Sequence, residues 1–125
     1  MYTVSVRRDF VAQHFLTGGD WGKESRPHSH SYRIELALSG TELDAHGYLV
    51  NIVEVERHLD EIVERYRDRL LNDFPELSGQ NPSLENFARV LCHALAERMT
   101  APGVGSRCVT LWESELAWAS YRLDR

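Results

Sequence analysis

His28-Ser-His-Ser-Tyr32-Arg-Ile-Glu-Leu36-Ala-Leu-Ser39 alternates without a break. His28, His30, Tyr32, Ile34, Leu36 and Leu38 fall on one side, and Ser29, Ser31, Arg33, Glu35, Ala37 and Ser39 on the other. A period of two is that of a strand with one face inward, and here that face opens with two imidazoles before it becomes core. Upstream, the even positions Tyr2, Val4, Val6, Arg8, Phe10, Ala12, His14 and Leu16 repeat the pattern and predict a long first strand with His14 on the side of Phe10. Residues 17–27, with three glycines and Pro27, read as the loop between them.

After the turn chemistry of residues 39–47 the period changes. Ile52, Val55, Leu59, Ile62, Val63, Tyr66 and Leu70 recur at three- and four-residue steps, the stripe of an amphipathic helix stopped by Asn72-Asp-Phe-Pro75. A second helix is expected to open at Asn81-Pro-Ser83, with Leu84, Phe87, Ala88, Leu91, Leu95 and Met99 inward. Arg107 to Leu123 reads as two short strands or one bent strand, with Val109, Leu111 and Glu113 on one face. The order strand, loop, strand, helix, helix, strand, strand lacks regular strand-helix alternation. It therefore predicts an α+β fold, an antiparallel sheet with both helices on one face, in a single domain spanning 1–125.

Composition narrows the function. Fourteen Lys plus Arg against nineteen Asp plus Glu give a net charge of -5, with Lys23 the sole lysine, so nothing favours a nucleic-acid backbone as partner. No apolar run approaches the roughly 20 residues of a membrane-spanning helix, and the N-terminus carries no secretory pattern. Cys92 and Cys108 are isolated thiols. They suit a reducing compartment, and a cytoplasmic protein with structural cysteines is expected.

Three of the six histidines can converge. His28 and His30 project from one face of their strand, and His14 lies on the inward face of the preceding one. Three neutral imidazoles with a fourth position open describe a catalytic Zn2+ site, whereas manganese and iron sites normally include a carboxylate. The plainer alternative is a set of partly exposed histidines without metal. His46, His58 and His93 belong to a turn or to helical patterns and carry no such signal. Glu24, four residues before His28, could be a fourth ligand, a general base or a solvated loop charge. Glu113 on the Val109-Leu111 face would be a costly inward charge without a partner. An arginine would satisfy it, and so would a planar ligand edge with two adjacent N–H donors, such as an aminopyrimidine or pterin.

Taken together, Phe10-x-Ala12-x-His14, Glu24-x-x-x-His28-x-His30-x-Tyr32, Gly47-Tyr-Leu-Val-Asn51, Leu71-Asn72, Pro82-Ser-Leu-Glu-Asn86-x-Ala88 and Val109-x-Leu-x-Glu113-Ser114 are collinear over nearly the whole chain. In order and spacing they resemble the 6-pyruvoyl-tetrahydropterin synthase and 6-carboxytetrahydropterin synthase family. The resemblance implies the tunnelling fold, a four-stranded antiparallel sheet with two helices on one face, whose subunits join sheets into a barrel, usually as hexamers. It implies zinc on His14, His28 and His30, a pterin ring held by Glu113, and 7,8-dihydroneopterin or its phosphate ester as substrate. In that family an acid/base cysteine precedes the His-x-His motif by four positions, and an Asp-His pair precedes Leu-Asn. Here Glu24 stands at the cysteine position and Arg67-Asp68 at the Asp-His position, Asn51 replaces a usual aspartate, and Ser29 the glycine of His-Gly-His. Glutamate at the cysteine position resembles the type III branch, which cleaves dihydroneopterin to 6-hydroxymethyl-dihydropterin. That likeness makes Glu24 the base and gives Asp68 a supporting proton-transfer role if a neighbouring subunit brings it close. The alternative is a family member that keeps zinc and pterin binding without efficient turnover.

Overall fold

The computed structural model describes residues 1–124. Four strands, β1 (Tyr2–His14), β2 (His28–Gly40), β3 (Ser106–Ser114) and β4 (Ala117–Asp124), form one antiparallel sheet in the order β1-β2-β3-β4. Helices α1 (Ile52–Tyr66) and α2 (Leu84–Arg98) lie between β2 and β3 in the chain. α1 packs over β1 and α2 over β3 and β4, so both helices cover one face. The α+β architecture expected from the order of periods is the one observed.

Alternation decides which side chains meet the helices. Val6, Phe10 and Ala12 of β1, Tyr32, Ile34, Leu36 and Leu38 of β2, and Val109 and Leu111 of β3 are buried against Val55, Leu59, Ile62, Val63, Phe87, Leu91 and Leu95. The opposite face is polar and zipped by cross-strand ion pairs. Arg7 faces Glu35 and Asp9 faces Arg33, each pair with Nε–O at 2.8 Å. Among the described residues no helix is long and apolar enough to cross a membrane. Cys92 is buried, Cys108 partly so, and both are free thiols.

Both helices open on side-chain caps. Asn51 accepts from the Val53 N–H and Ser83 from the Asn86 N–H, satisfying donors the first turn leaves open. The end of α1 departs from the sequence expectation. The apolar stripe predicts helix to Leu70, yet α1 stops at Tyr66, and Asp68 takes a left-handed φ of 59°, which aspartate tolerates better than most residues. Strand pairing outcompetes the helix there. Asp68 N–H donates to Val11 O (2.7 Å) and Gln13 N–H to Arg69 O (2.9 Å), so residues 68–70 run along the outer edge of β1. Ile52, assigned to the inner stripe, is 48% exposed in the first turn.

Candidate metal centre

The β1–β2 register sets His14 directly opposite His28 and Ala12 opposite His30. Three rings from two strands therefore share one end of the sheet, with centroids 4.5 Å apart for His14 and His28 and 4.8 Å for each other pair. Beneath them Tyr32 stacks on Phe10 at 5.5 Å and meets Phe87 edge-on at 5.5 Å. This aromatic floor holds the strand ends against α2.

Hydrogen bonds on the far sides of two rings fix their tautomers. His14 Nδ1 lies 2.8 Å from Pro82 O and His28 Nδ1 2.7 Å from Arg26 O. A carbonyl only accepts, so both Nδ1 atoms carry the proton and, in the neutral rings, both Nε2 atoms present lone pairs to the centre. Burial favours the neutral form of His14, lowering its pKa. His28 Nε2 lies 3.1 Å from His30 Nε2, and Glu24 Oε2 lies 2.7 Å from His28 Nε2 and 3.8 Å from His14 Nε2. One ligand atom from each of the four residues lies within 4.8 Å of the others. Three of these atoms, His14 Nε2, His28 Nε2 and a Glu24 oxygen, are acceptors in the neutral rings, a set that a cation among them would satisfy. Among the described residues His14 Nε2 is buried and lacks any hydrogen-bond partner, an orphan that a divalent cation would satisfy. Outer carbonyls that orient imidazoles are also the usual surroundings of metal-bound histidine. The donor set fits a divalent cation, Zn2+ among them, and the Glu24 carboxylate removes the expectation that set manganese and iron aside.

Glu24 arrives by a route that periodicity does not reveal. The expected loop contains a one-turn 3-10 helix, Gly22–Ser25, entered through Gly22 at φ 62°. Glu24 N–H donates to Trp21 O, and Glu24 O accepts from the Leu16 N–H at 2.7 Å. Its carboxylate, 48% exposed, thus stands at the solvent side of the three rings.

Glu113 sits where the β3–β4 register slips between Trp112 and Ser114. It is half-buried and lines a cavity of about 520 Å³ with Tyr32, Ser31, Asp9, Arg33 and Trp112. The structural answer to its charge is absent among the described residues, because Arg33 is taken by Asp9 and no side chain hydrogen-bonds Glu113. Tyr32 is shared between the two sites. It lines this cavity, and its hydroxyl lies 3.5 Å from His14 Nδ1. Burial, then the nearby Glu113 and Glu24 carboxylates, raise the Tyr32 pKa far above the ordinary phenol value and keep the hydroxyl protonated. Its place at the end of the His-x-His-x-Tyr alternation was the available signal. Asp68 is exposed on the outer edge of β1 and is not drawn into the cluster within one chain. Trp21 donates its indole N–H to Thr17 O and braces the loop.

Fold and site together define an α+β protein with a three-histidine, one-carboxylate centre at one end of an antiparallel sheet, beside a cavity that holds a half-buried glutamate. The family model described as 6-pyruvoyl tetrahydropterin synthase matches residues 3–124. The chain is 32% identical over 96 residues to the curated 6-carboxy-5,6,7,8-tetrahydropterin synthase of Bacillus subtilis (strain 168), covering 72% of this chain and 64% of that protein. The match thus spans under two thirds of that relative. Among solved structures, 6-pyruvoyl tetrahydropterin synthase of Caenorhabditis elegans superposes with a TM-score of 0.83 at 20% identity over 99% of this chain and 98% of that one. The Plasmodium vivax enzyme, in a variant whose replaced glutamate is described as a catalytic residue, gives a TM-score of 0.79 at 16% identity over 100% of both chains. This chain belongs to the 6-pyruvoyl tetrahydropterin synthase family.

Proposed function

We propose that the protein is a zinc-dependent lyase acting on the side chain of 7,8-dihydroneopterin or its triphosphate, with Glu24 as the base. The observation that carries the reading is the buried, unpartnered Nε2 of His14 facing two more imidazoles and a carboxylate. His14, His28 and His30 would hold Zn2+, which supplies a Lewis acid that makes the substrate's hydroxyls more acidic. Glu113 would orient the ring, its two oxygens accepting parallel N–H bonds from an aminopyrimidine edge. Glu24 would take the proton of the hydroxyl on the second side-chain carbon. A carbonyl would form there, the bond to the first side-chain carbon would break with its electron pair passing to the ring imine, and the resulting enamine would take a proton back at that first carbon, giving 6-hydroxymethyl-dihydropterin and releasing the other two carbons as glycolaldehyde or its phosphate ester. A catalytic glutamate in the Plasmodium vivax protein is consistent with a carboxylate in this role.

The working unit would be a homo-oligomer with sheets joined edge to edge. Among the described residues the outer edge of β4 is unpaired within the chain, with Trp118 59% and Leu116 96% exposed beside it. Asp68 could then reach a neighbour's site as a second proton carrier. One observation favours a binder with little turnover, namely that Asp68 lies outside the cluster of its own chain.

Protein purified without chelator is expected to carry zinc by elemental analysis. Incubated with dihydroneopterin and with its triphosphate, it is expected to release 6-hydroxymethyl-dihydropterin from one of them, resolved by chromatography. A 6-pyruvoyl or 6-carboxy product would replace the cleavage by the sister reaction. Zinc with no product would favour the binder, and absence of zinc would overturn the metal assignment.

A further inference from the structure

We propose that Asn72 and Asn81 are positioning residues that hold Glu24 over the three imidazoles by acting, through their side chains, as the missing strand beside residues 15–17. The proposal rests on the reading of Glu24 as base. The outer edge of β1 is paired at Val11 and Gln13 by backbone from residues 68 and 69. In a strand, the N–H and C=O of alternate residues point the same way, so the next outward positions are Phe15 and Thr17. Among the described residues no backbone group pairs them there; two side-chain amides do, and the Trp21 indole N–H adds a donation to Thr17 O at 3.0 Å.

Asn72 Oδ1 accepts from the Phe15 N–H and its Nδ2 donates to Phe15 O, both at 3.0 Å. Asn81 Oδ1 accepts from the Thr17 N–H at 2.7 Å and from the Thr17 hydroxyl at 3.0 Å, and its Nδ2 donates to Thr17 O at 3.1 Å. A primary amide presents one acceptor and one donor in a plane, as a peptide edge does, so each asparagine reads one residue as a neighbouring strand would. Leu16, lying between them, turns its N–H the other way and donates to Glu24 O at 2.7 Å. Asn81 is itself fixed, since its carbonyl accepts from Asn86 Nδ2 at 2.9 Å, and the next residue, Pro82, accepts from His14 Nδ1. The connection before α2 therefore sets one histidine and the glutamate from adjacent residues.

The test has two arms on the full chain. Amide exchange followed by NMR should show the Leu16 N–H exchanging about tenfold faster in Asn81→Ala, and less so in Asn81→Asp, which keeps the acceptor and loses the donor. The change should stay within residues 15–26. In the second arm, Asn72→Ala and Asn81→Ala should each lower kcat about tenfold or more with KM and zinc content unchanged, because a base displaced by an ångström loses rate. In a Glu24→Gln background neither should lower kcat further. Unchanged Leu16 exchange, exchange raised throughout α1 and α2, or equal losses in both backgrounds would overturn the proposal. If Glu24→Gln alone keeps full turnover, or the parent turns over no dihydropterin, the catalytic reading of Glu24 fails first. The exchange arm then still decides whether the asparagines hold the segment.

Discussion

Two of the polar knots within this small fold have opposite chemistry. Where α1 ends, Arg65 grips Glu76 with Nε at 2.8 Å and Nη2 at 2.9 Å, while the Tyr66 hydroxyl donates to the same carboxylate at 2.7 Å. Donors and acceptors balance there. The pair with Arg65, and then the Tyr66 bond, hold the Glu76 pKa down to about 2, and burial opposes them. At the end of β1 and β2, three imidazoles and Glu24 converge with one buried nitrogen, His14 Nε2, left unmatched among the described residues. A balanced knot holds a fold together; an unbalanced one marks a candidate ligand site.

The largest expected effect tests the unbalanced knot. His28→Ala should remove most bound zinc and with it turnover, because only two imidazoles remain. Elemental analysis showing full zinc content would place the ligands elsewhere. Glu24→Ala should leave the metal and lower kcat by about 10²- to 10⁴-fold, the usual contribution of a positioned base. Retained turnover in a product assay would shift the role to another group, Asp68 first.

The balanced knot should respond to acid instead. The Glu76 carboxyl is depressed in the folded state from an ordinary value of 4.5 to about 2. Its contribution is therefore fully present above the ordinary value and is lost as pH falls toward about 2. The unscreened ceiling is about 3.4 kcal/mol, and solvent screening of this only partly buried carboxylate lowers it. Denaturant midpoints measured from pH 6 down to pH 2 should fall less steeply in Glu76→Gln than in the parent, and parallel curves would refute the linkage. Smallest is Glu113→Gln, which turns one acceptor into a donor facing the ring N–H groups. It should weaken dihydropterin binding about tenfold, as for one lost charge-assisted hydrogen bond, with zinc retained. Equal affinity by calorimetry would remove the ring-anchor role.

Much of this was legible in the chain because strand periodicity is local. The even positions of β1 and β2 assign inward faces, and once the strands pair, His14, His28 and His30 have to share a corner. Glu113 was readable for the same reason, although the register slip that leaves it half-buried was not. What the sequence could not disclose depends on distant partners. Leu70 completes a helical stripe, yet its backbone pairs with Gln13, and that competition is settled only in the folded sheet. Asn72 and Asn81 act on residues 57 and 64 positions away, so no window of sequence connects them to the loop. Spacing puts Glu24 near His28 but leaves ligand, base and solvated charge all open, and the 3-10 turn that delivers it lies inside an apparently featureless glycine stretch.

The bond between Leu16 and Glu24 closes the base of the loop below its tip. Residues added or lost around Gly18 to Asp20 would lengthen or shorten a bulb whose neck stays tied, leaving the carboxylate aimed as before. A single residue inserted between Ser25 and His28 lies beyond that tie and would change the distance from glutamate to first imidazole directly. Natural length variation in relatives should therefore collect at the tip and spare the short tether that follows it.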